Sequence, residues 1–197
     1  MKSSISRAKL FKACRRAYYF KYIEDLEPAQ KSEALTIGSN YHDLLEDLYK
    51  NGEFTSSNDY SKERAMATAY KKYIYPKFKM KYAESWEQKQ ISSKHTLFGR
   101  VDGIAEDGCI VEHKTTSLSD IQEQYEYELL WDEQILAYMY ITGARDVYYT
   151  VCRKPTIRQK QNETDEDFYY RMLQWYDEDT ETKIRVMKIS RTDEEVM

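Results

Sequence analysis

Three residues of this chain have the types and spacing to do chemistry together: Asp102, Glu112 and Lys114. Glu112 and Lys114 are two apart, so in a β-strand their side chains leave the same face. Asp107-Gly108, between apolar runs, is a strong hairpin signal. A three-residue loop from Glu106 to Gly108 pairs Ala105 with Cys109 and sets Asp102 opposite Glu112; a two-residue turn moves the pairing by one. Directly opposed side chains sit about 4.5–5.5 Å apart at Cβ. Two carboxylates that close repel unless a proton or a cation lies between them. Lys114 is one such cation, and a divalent metal is the stronger candidate, because hard cations such as Mg²⁺ take carboxylate oxygens together with substrate phosphates. The hairpin therefore points to a metal site for a phosphate-bearing substrate, with an ammonium beside it. The competing reading is a surface hairpin carrying an ordinary cross-strand ion pair.

The elements that must position this trio follow from the hydrophobic pattern. Ser6 is the expected N-cap of a first helix reaching about Ile23, with Leu10, Phe11, Cys14, Tyr18 and Tyr22 as its apolar stripe. On that stripe a free Cys14 behaves as a small hydrophobe, so Cys14→Ser is expected to cost more stability than Cys14→Ala. A second helix, about Leu35 to Lys50, carries His42 one turn after Gly38, whose missing side chain lets another element approach. A third runs from about Ser61 to Tyr75. Ser85 to Ile91 reads as a strand with Glu87, Lys89 and Ile91 on one face. The hairpin follows, then a polar stretch from Leu118 to Tyr127 expected as a loop with a short helix. A helix from about Leu129 to Thr142 stops at Gly143 and stacks Gln134 and Tyr138 on one face. Val147 to Cys152 is a further strand, Asp165 to Tyr176 a helix capped by Thr164, and Ile184 to Ile189 a last strand. That order predicts an α/β fold, a mixed central sheet flanked by helices. The expected organisation is one domain over 1–197, helical to about residue 80 and with its sheet core from about 84 to 190.

Composition narrows the class. The chain has 197 residues, 32% charged and 41% hydrophobic, with a net charge of −4. No apolar run approaches the ~20 residues of a membrane span, and the N-terminus lacks the apolar core of a signal peptide. Three scattered cysteines, Cys14, Cys109 and Cys152, make no disulfide framework. A soluble cytoplasmic protein with no membrane partner is the expectation. The charge is segregated: seven basic residues and no acidic one lie between Met1 and Lys21, a second basic run spans 71–81, a third spans 153–160, and acids crowd 163–181. A basic groove on an acidic protein is compatible with that pattern. Solvated helix faces are the alternative for the middle run.

These residues resemble the PD-(D/E)XK nuclease superfamily, and within it the RecB-like exonuclease branch, phage-type and related to CRISPR-associated exonucleases. The core motif is Asp102 followed by Glu112-His113-Lys114, with Gly99-Arg100-Val101 before it and Thr115-Thr116 after it. Further marks of the branch have counterparts in order: Cys14 followed by aromatics, Gly38-Ser39-Asn40-Tyr41-His42, and Gln134-Ile135-Leu136-Ala137-Tyr138. An acid in the strand before Asp102 matches Glu87, and Arg153-Lys154-Pro155 is similar to phage-encoded members. The resemblance implies a restriction-endonuclease-like core and a metal-dependent DNA nuclease, an exonuclease acting on DNA ends or single strands in phage or repair recombination, with recombination or replication proteins as partners. It implies that Asp102, Glu112 and His42 hold Mg²⁺ or Mn²⁺, with the His113 carbonyl as a further ligand. Lys114 would position or activate the attacking water, and Gln134 and Tyr138 would contact DNA or steady Lys114. A catalytically idle DNA-binding or partner-docking module on the same fold is the alternative. The branch often carries an iron–sulfur cluster on one N-terminal and three C-terminal cysteines; only Cys14 has a counterpart, so no cluster is expected in this chain. Glu112 stands where the branch more commonly has Asp.

Overall fold

The computed structural model describes residues 2–29, 32–55, 59–118 and 123–196. Its centre is a six-stranded mixed sheet. The hairpin at its heart has strands β3 (Thr96–Ala105) and β4 (Ile110–Thr116), and their pairs Gly103–Val111 and Ile104–Ile110 are in the register of the three-residue loop. Ala105 N–H donates to Cys109 O at 2.9 Å, and Gly108 takes the positive φ of 85° that the turn requires. β2 (Met80–Gln90) runs antiparallel along β3. β1 (Lys2–Ser4), which the sequence pattern does not announce, pairs in parallel with residues 96–98. With β2 along one edge of β3, the other edge is shared: β1 holds its start and β4 its end. Residues 99–102 lie in the interval between them, and Asp102 is there. β5 (Asp146–Arg153) joins β4 in parallel, and β6 (Ile184–Ser190) closes the sheet antiparallel to β5.

Helices cover both faces. α6 (Glu133–Thr142) lays Ile135, Tyr138 and Met139 against Val101, Ile110, Val147 and Val151. On the other face α3 (Glu33–Asn51), α4 (Lys62–Tyr73) and α7 (Asp165–Glu178) bury Tyr41, Leu45, Leu48, Met66, Tyr70 and Tyr176 against Cys152 and Ile184. A fully buried side chain of the Val, Leu or Met kind contributes about 1.5–3 kcal/mol, so these two layers hold the sheet rigid beneath the site. α8 (Thr180–Lys183) and α9 (Asp193–Val196) are single turns. None of the described helices is long and apolar enough to cross a membrane.

Several boundaries move for local reasons. The single N-terminal helix is two: α1 (Ile5–Ala13), capped by Ser4 rather than Ser6, and α2 (Arg15–Tyr22). Cys14 breaks them apart with an extended backbone and is exposed, not part of a buried stripe; its Sγ accepts from Ala17 N–H at 3.4 Å and caps α2. Of the stretch 118–127, residues 119–122 lie outside the described residues, and a helix α5 (Glu123–Leu130) follows. α6 starts at Glu133 instead of Leu129, because the Asp132 carboxylate accepts from Gln134 N–H at 3.0 Å and caps it. Gly38 is not demanded by crowding: a Cβ there would sit 3.8 Å from Thr115 Oγ1, an ordinary contact.

Candidate active site

The residues expected to act together come from four elements: α3, β3, β4 and α6. On the α3 side, His42 follows the buried Tyr41, so the stripe that docks α3 also fixes His42 at the rim of the sheet. His42 Nδ1 is 3.5 Å from Asp102 Oδ1, while Asp102 Oδ2 accepts the His113 main-chain N–H at 2.8 Å. The ladder between β3 and β4 ends at Gly103–Val111, and the Asp102 carboxylate reaches across to the β4 backbone where the strands part. Glu84 completes this side. It lies between the pairs Ala83–Gly103 and Ser85–Val101, hence opposite Asp102, at a positive φ of 53° that costs a non-glycine residue about 1–3 kcal/mol. His42, Glu84 and Asp102 each offer a ligand atom within 4.8 Å of the others. Arg100 Nε pairs with Glu84 Oε2 at 2.6 Å and its Nη2 with Glu46 Oε2 at 3.3 Å.

On the α6 side, Lys114 Nζ bonds Glu112 Oε1 at 2.7 Å and lies 3.5 Å from Asp132 Oδ2. Lys9 of α1 reaches Asp132 Oδ1 at 3.1 Å, so one carboxylate joins α1, α6 and β4. Gln134 Nε2 donates to the Tyr138 hydroxyl at 2.8 Å. Gly99 permits this: a Cβ there would stand 2.4 Å from Tyr138 Cε1, so only glycine lets the ring come this close to β3.

The charges are unevenly balanced. Burial, then the neighbouring Asp102, push the Glu112 carboxyl up to about 8 against the opposing pull of Lys114. Burial and Asp102 push Glu84 up to about 7, against Arg100 and His42. Asp102 is held below the usual carboxylate range: burial would raise it, but the bonds from His42 and from the His113 N–H outweigh burial. Burial would lower His42, and its bond to Asp102 together with the charges of Asp102, Glu112 and Glu84 raises it instead. Lys114 is half-buried, which would lower it, and the carboxylates of Glu112 and Asp132 raise it instead.

Each expected site residue therefore has a place. Asp102, Glu112, Lys114, His42, Gln134 and Tyr138 are gathered around the interval in β3. The His113 ring is turned away: buried, with Nδ1 bonded to Thr150 Oγ1 at 2.7 Å and its basicity pushed down to about 4 by burial. Glu87 is displaced as the acid of the preceding strand; it pairs opposite Gly99, accepts from Ser85 Oγ, and lies outside the cluster. Glu84 takes its place. The turn that joins β2 to β3 held the signal: Ile91 N–H bonds His95 O, and counting back from that pair sets Glu84 against Asp102. The sequence does not announce Asp132 or its bond to Lys9, since an N-cap aspartate reads as a local device.

The donor set fits a hard divalent cation. It combines the carboxylates of Glu84 and Asp102 with the imidazole of His42, and outside that trio Glu112 Oε2 is buried with no hydrogen-bond partner among the described residues. A buried carboxylate oxygen without a proton donor is destabilising unless a cation faces it.

The profile of the PD-(D/E)XK nuclease superfamily matches residues 2–194. No curated protein sequence matches the chain. Among solved structures, a protein from Eubacterium rectale named as a candidate exonuclease has a TM-score of 0.59 at 13% identity, over 98% of this chain and 73% of that one. A phage related exonuclease from Haemophilus somnus 129PT has a TM-score of 0.43 at 12% identity, over 87% and 82% of the two chains. The first of these likenesses is one of fold.

Proposed function

Since the chain belongs to the PD-(D/E)XK nuclease superfamily, and is thus a nuclease, we propose that it is a metal-dependent deoxyribonuclease, an exonuclease working on DNA ends or single strands in phage or repair recombination. The observation that carries this reading is the convergence of His42, Glu84 and Asp102 within 4.8 Å beside the pair of the buried Glu112 and the half-buried Lys114. His42, Glu84, Asp102 and Glu112 would hold Mg²⁺ or Mn²⁺, with the His113 carbonyl as a further donor. A divalent cation held there supplies Lewis-acid stabilisation of the charge that builds on a phosphodiester during hydrolysis.

The chain's own groups do the rest. Lys114, anchored between Glu112 and Asp132, is a fixed ammonium that meets the same developing charge without reorganising. It also donates to the attacking water and so orients it. Gln134 and Tyr138, locked to each other and to Gly99, form a rigid wall beside Glu112 that positions the scissile phosphate.

The test uses single-stranded oligonucleotides labelled at the 5′ or the 3′ end, with Mg²⁺ or Mn²⁺ and with or without EDTA. Metal-dependent shortening from an end is expected, and the two labels give the polarity. No cleavage of single- or double-stranded DNA with either metal overturns the reading.

A further inference from the structure

α1 and α2 carry no buried residue, yet they are aromatic. Phe11 is 46% exposed, Tyr19 47% and Phe20 40%. An apolar face left to water ordinarily marks a binding surface. This one is also cationic: Arg15 stands 5.3 Å from the Phe11 ring, Arg16 5.6 Å from Phe20 and Arg7 4.6 Å from Tyr22. Between Met1 and Lys21 there are seven basic residues and no acidic one. A protein-docking face needs the rings but not the excess of cations. A duplex-binding face needs the cations but not the rings, because paired bases hide their faces.

The surface is tied to the site. Lys9 bonds Asp132, which also faces Lys114, and Lys12 reaches Glu133 at 3.4 Å, so α1 rests on the first turn of α6. The residue before Asp132 is Trp131, 70% exposed. Rings and guanidinium groups thus begin one carboxylate away from the ammonium of the site.

We propose that α1 and α2 form a track for single-stranded nucleic acid leading to the Lys114 side of the site, with Phe11, Tyr19 and Phe20 stacking on unpaired bases and Arg15 and Arg16 meeting the phosphates. The inference rests on the nuclease reading for its direction and names the form of substrate the site receives. Stacking on an exposed ring is tolerant of sequence and is available only to bases outside a duplex.

Binding of a fluorescent oligothymidylate and of a blunt hairpin duplex to the full chain, measured in EDTA, tests this without any turnover. The variant Phe11→Ala/Tyr19→Ala/Phe20→Ala is expected to lose about a thousandfold in affinity for the single strand, from about tenfold per ring, while duplex affinity changes less than about threefold. Phe11→Tyr/Tyr19→Phe/Phe20→Tyr keeps the rings and is expected to keep the affinity. Arg15→Ala/Arg16→Ala is expected to flatten the dependence of log affinity on log salt by about 1.4, two phosphate contacts on a single strand. Circular dichroism checks that each variant keeps its helices. Equal losses on both substrates, no loss on the single strand, or no single-strand binding by the parent chain overturns the track; the last result assigns the rings to a protein partner. A parent chain that binds the single strand but cleaves nothing with either metal overturns the nuclease reading and leaves the track standing.

Discussion

On the α6 flank of the site the charges are largely matched: Lys114 meets Glu112 and Asp132, Lys9 meets Asp132, and Gln134 meets Tyr138. On the α3 flank they are not. Glu84 and Asp102 face each other from paired strands, with His42 and the half-exposed Arg100 as the cations nearby, and Glu84 holds a backbone conformation that needs support from elsewhere. Glu112 stands between the flanks, with one oxygen committed to Lys114 and the other without a hydrogen-bond partner among the described residues. A flank whose polar atoms are all satisfied is a fixture, whereas a flank of crowded carboxylates is stabilised by a cation. On the proposed function, positioning of the substrate would fall to the α6 flank and metal affinity to the α3 flank.

The most severe way to break this division is to remove a carboxylate at its centre. Asp102→Asn and Glu112→Gln are each expected to lower oligonucleotide cleavage by at least about a thousandfold, the scale of losing a metal's stabilisation of the transition state. The fold should persist. For Glu112→Gln, relief of repulsion leaves the melting temperature in EDTA equal or higher; Asp102→Asn loses a carboxylate that the fold holds ionised and melts somewhat lower. Parental cleavage rates in either variant would remove these residues from the site.

A finer break separates the flanks. Lys114→Ala takes a fixed cation from the reaction centre, and turnover is expected to fall about 10²–10³-fold with metal affinity nearly unchanged. His42→Ala removes a ligand, so activity falls and the Mn²⁺ needed for half-maximal rate rises. Mn²⁺ titrations of both variants decide the matter: rescue of Lys114→Ala in preference to His42→Ala reverses the assignment.

Smaller still is the contrast between two glutamates of one strand. Glu84→Gln removes one of the proposed ligands and is expected to raise the metal requirement at least about 10-fold, the least that even partners behind the ligands contribute. Glu87→Gln, opposite Gly99 and away from the cluster, should leave it unchanged. Equal effects would mean that the strand as a whole, and not the position opposite Asp102, matters.

The same two glutamates mark the boundary of what the sequence made legible. The hairpin was readable to within one residue: alternation fixes the faces, while the choice between a two- and a three-residue turn, which sets the register, is made in the fold. His42, Gln134 and Tyr138 were readable through helical spacing together with the family resemblance. Glu84 was not, since the expected strand began at Ser85 and a left-handed glutamate breaks the two-residue period on which strand reading relies. β1 was hidden by its length of three residues. Asp132 was hidden because its capping bond is local while its bonds to Lys9 and Lys114 depend on tertiary placement.

The mildest prediction lies outside both flanks, at the break between α1 and α2. Periodicity places Cys14 on a buried stripe, where serine would be worse than alanine. In the fold it is exposed, and its Sγ accepts the Ala17 N–H as the N-cap of α2. Serine is among the strongest N-caps and sulfur is a weak acceptor. The order is therefore reversed: Cys14→Ser is expected to melt at or above the parent temperature, and Cys14→Ala to cost about 0.5 kcal/mol, the low end for a lost cap. Neither change touches a site residue, so both variants should cleave at the parental rate. Iron is not expected to alter this. A [4Fe–4S] cluster needs four thiolates, and burial pushes the Cys109 and Cys152 thiols up to about 11 and about 12, away from the thiolate form. Chain purified without oxygen should be colourless. Thermal melts of the two variants and an iron assay on the parent check these points together: a brown protein that bleaches in Cys14→Ser, or a serine variant less stable than the alanine one, would show that Cys14 does something other than cap α2.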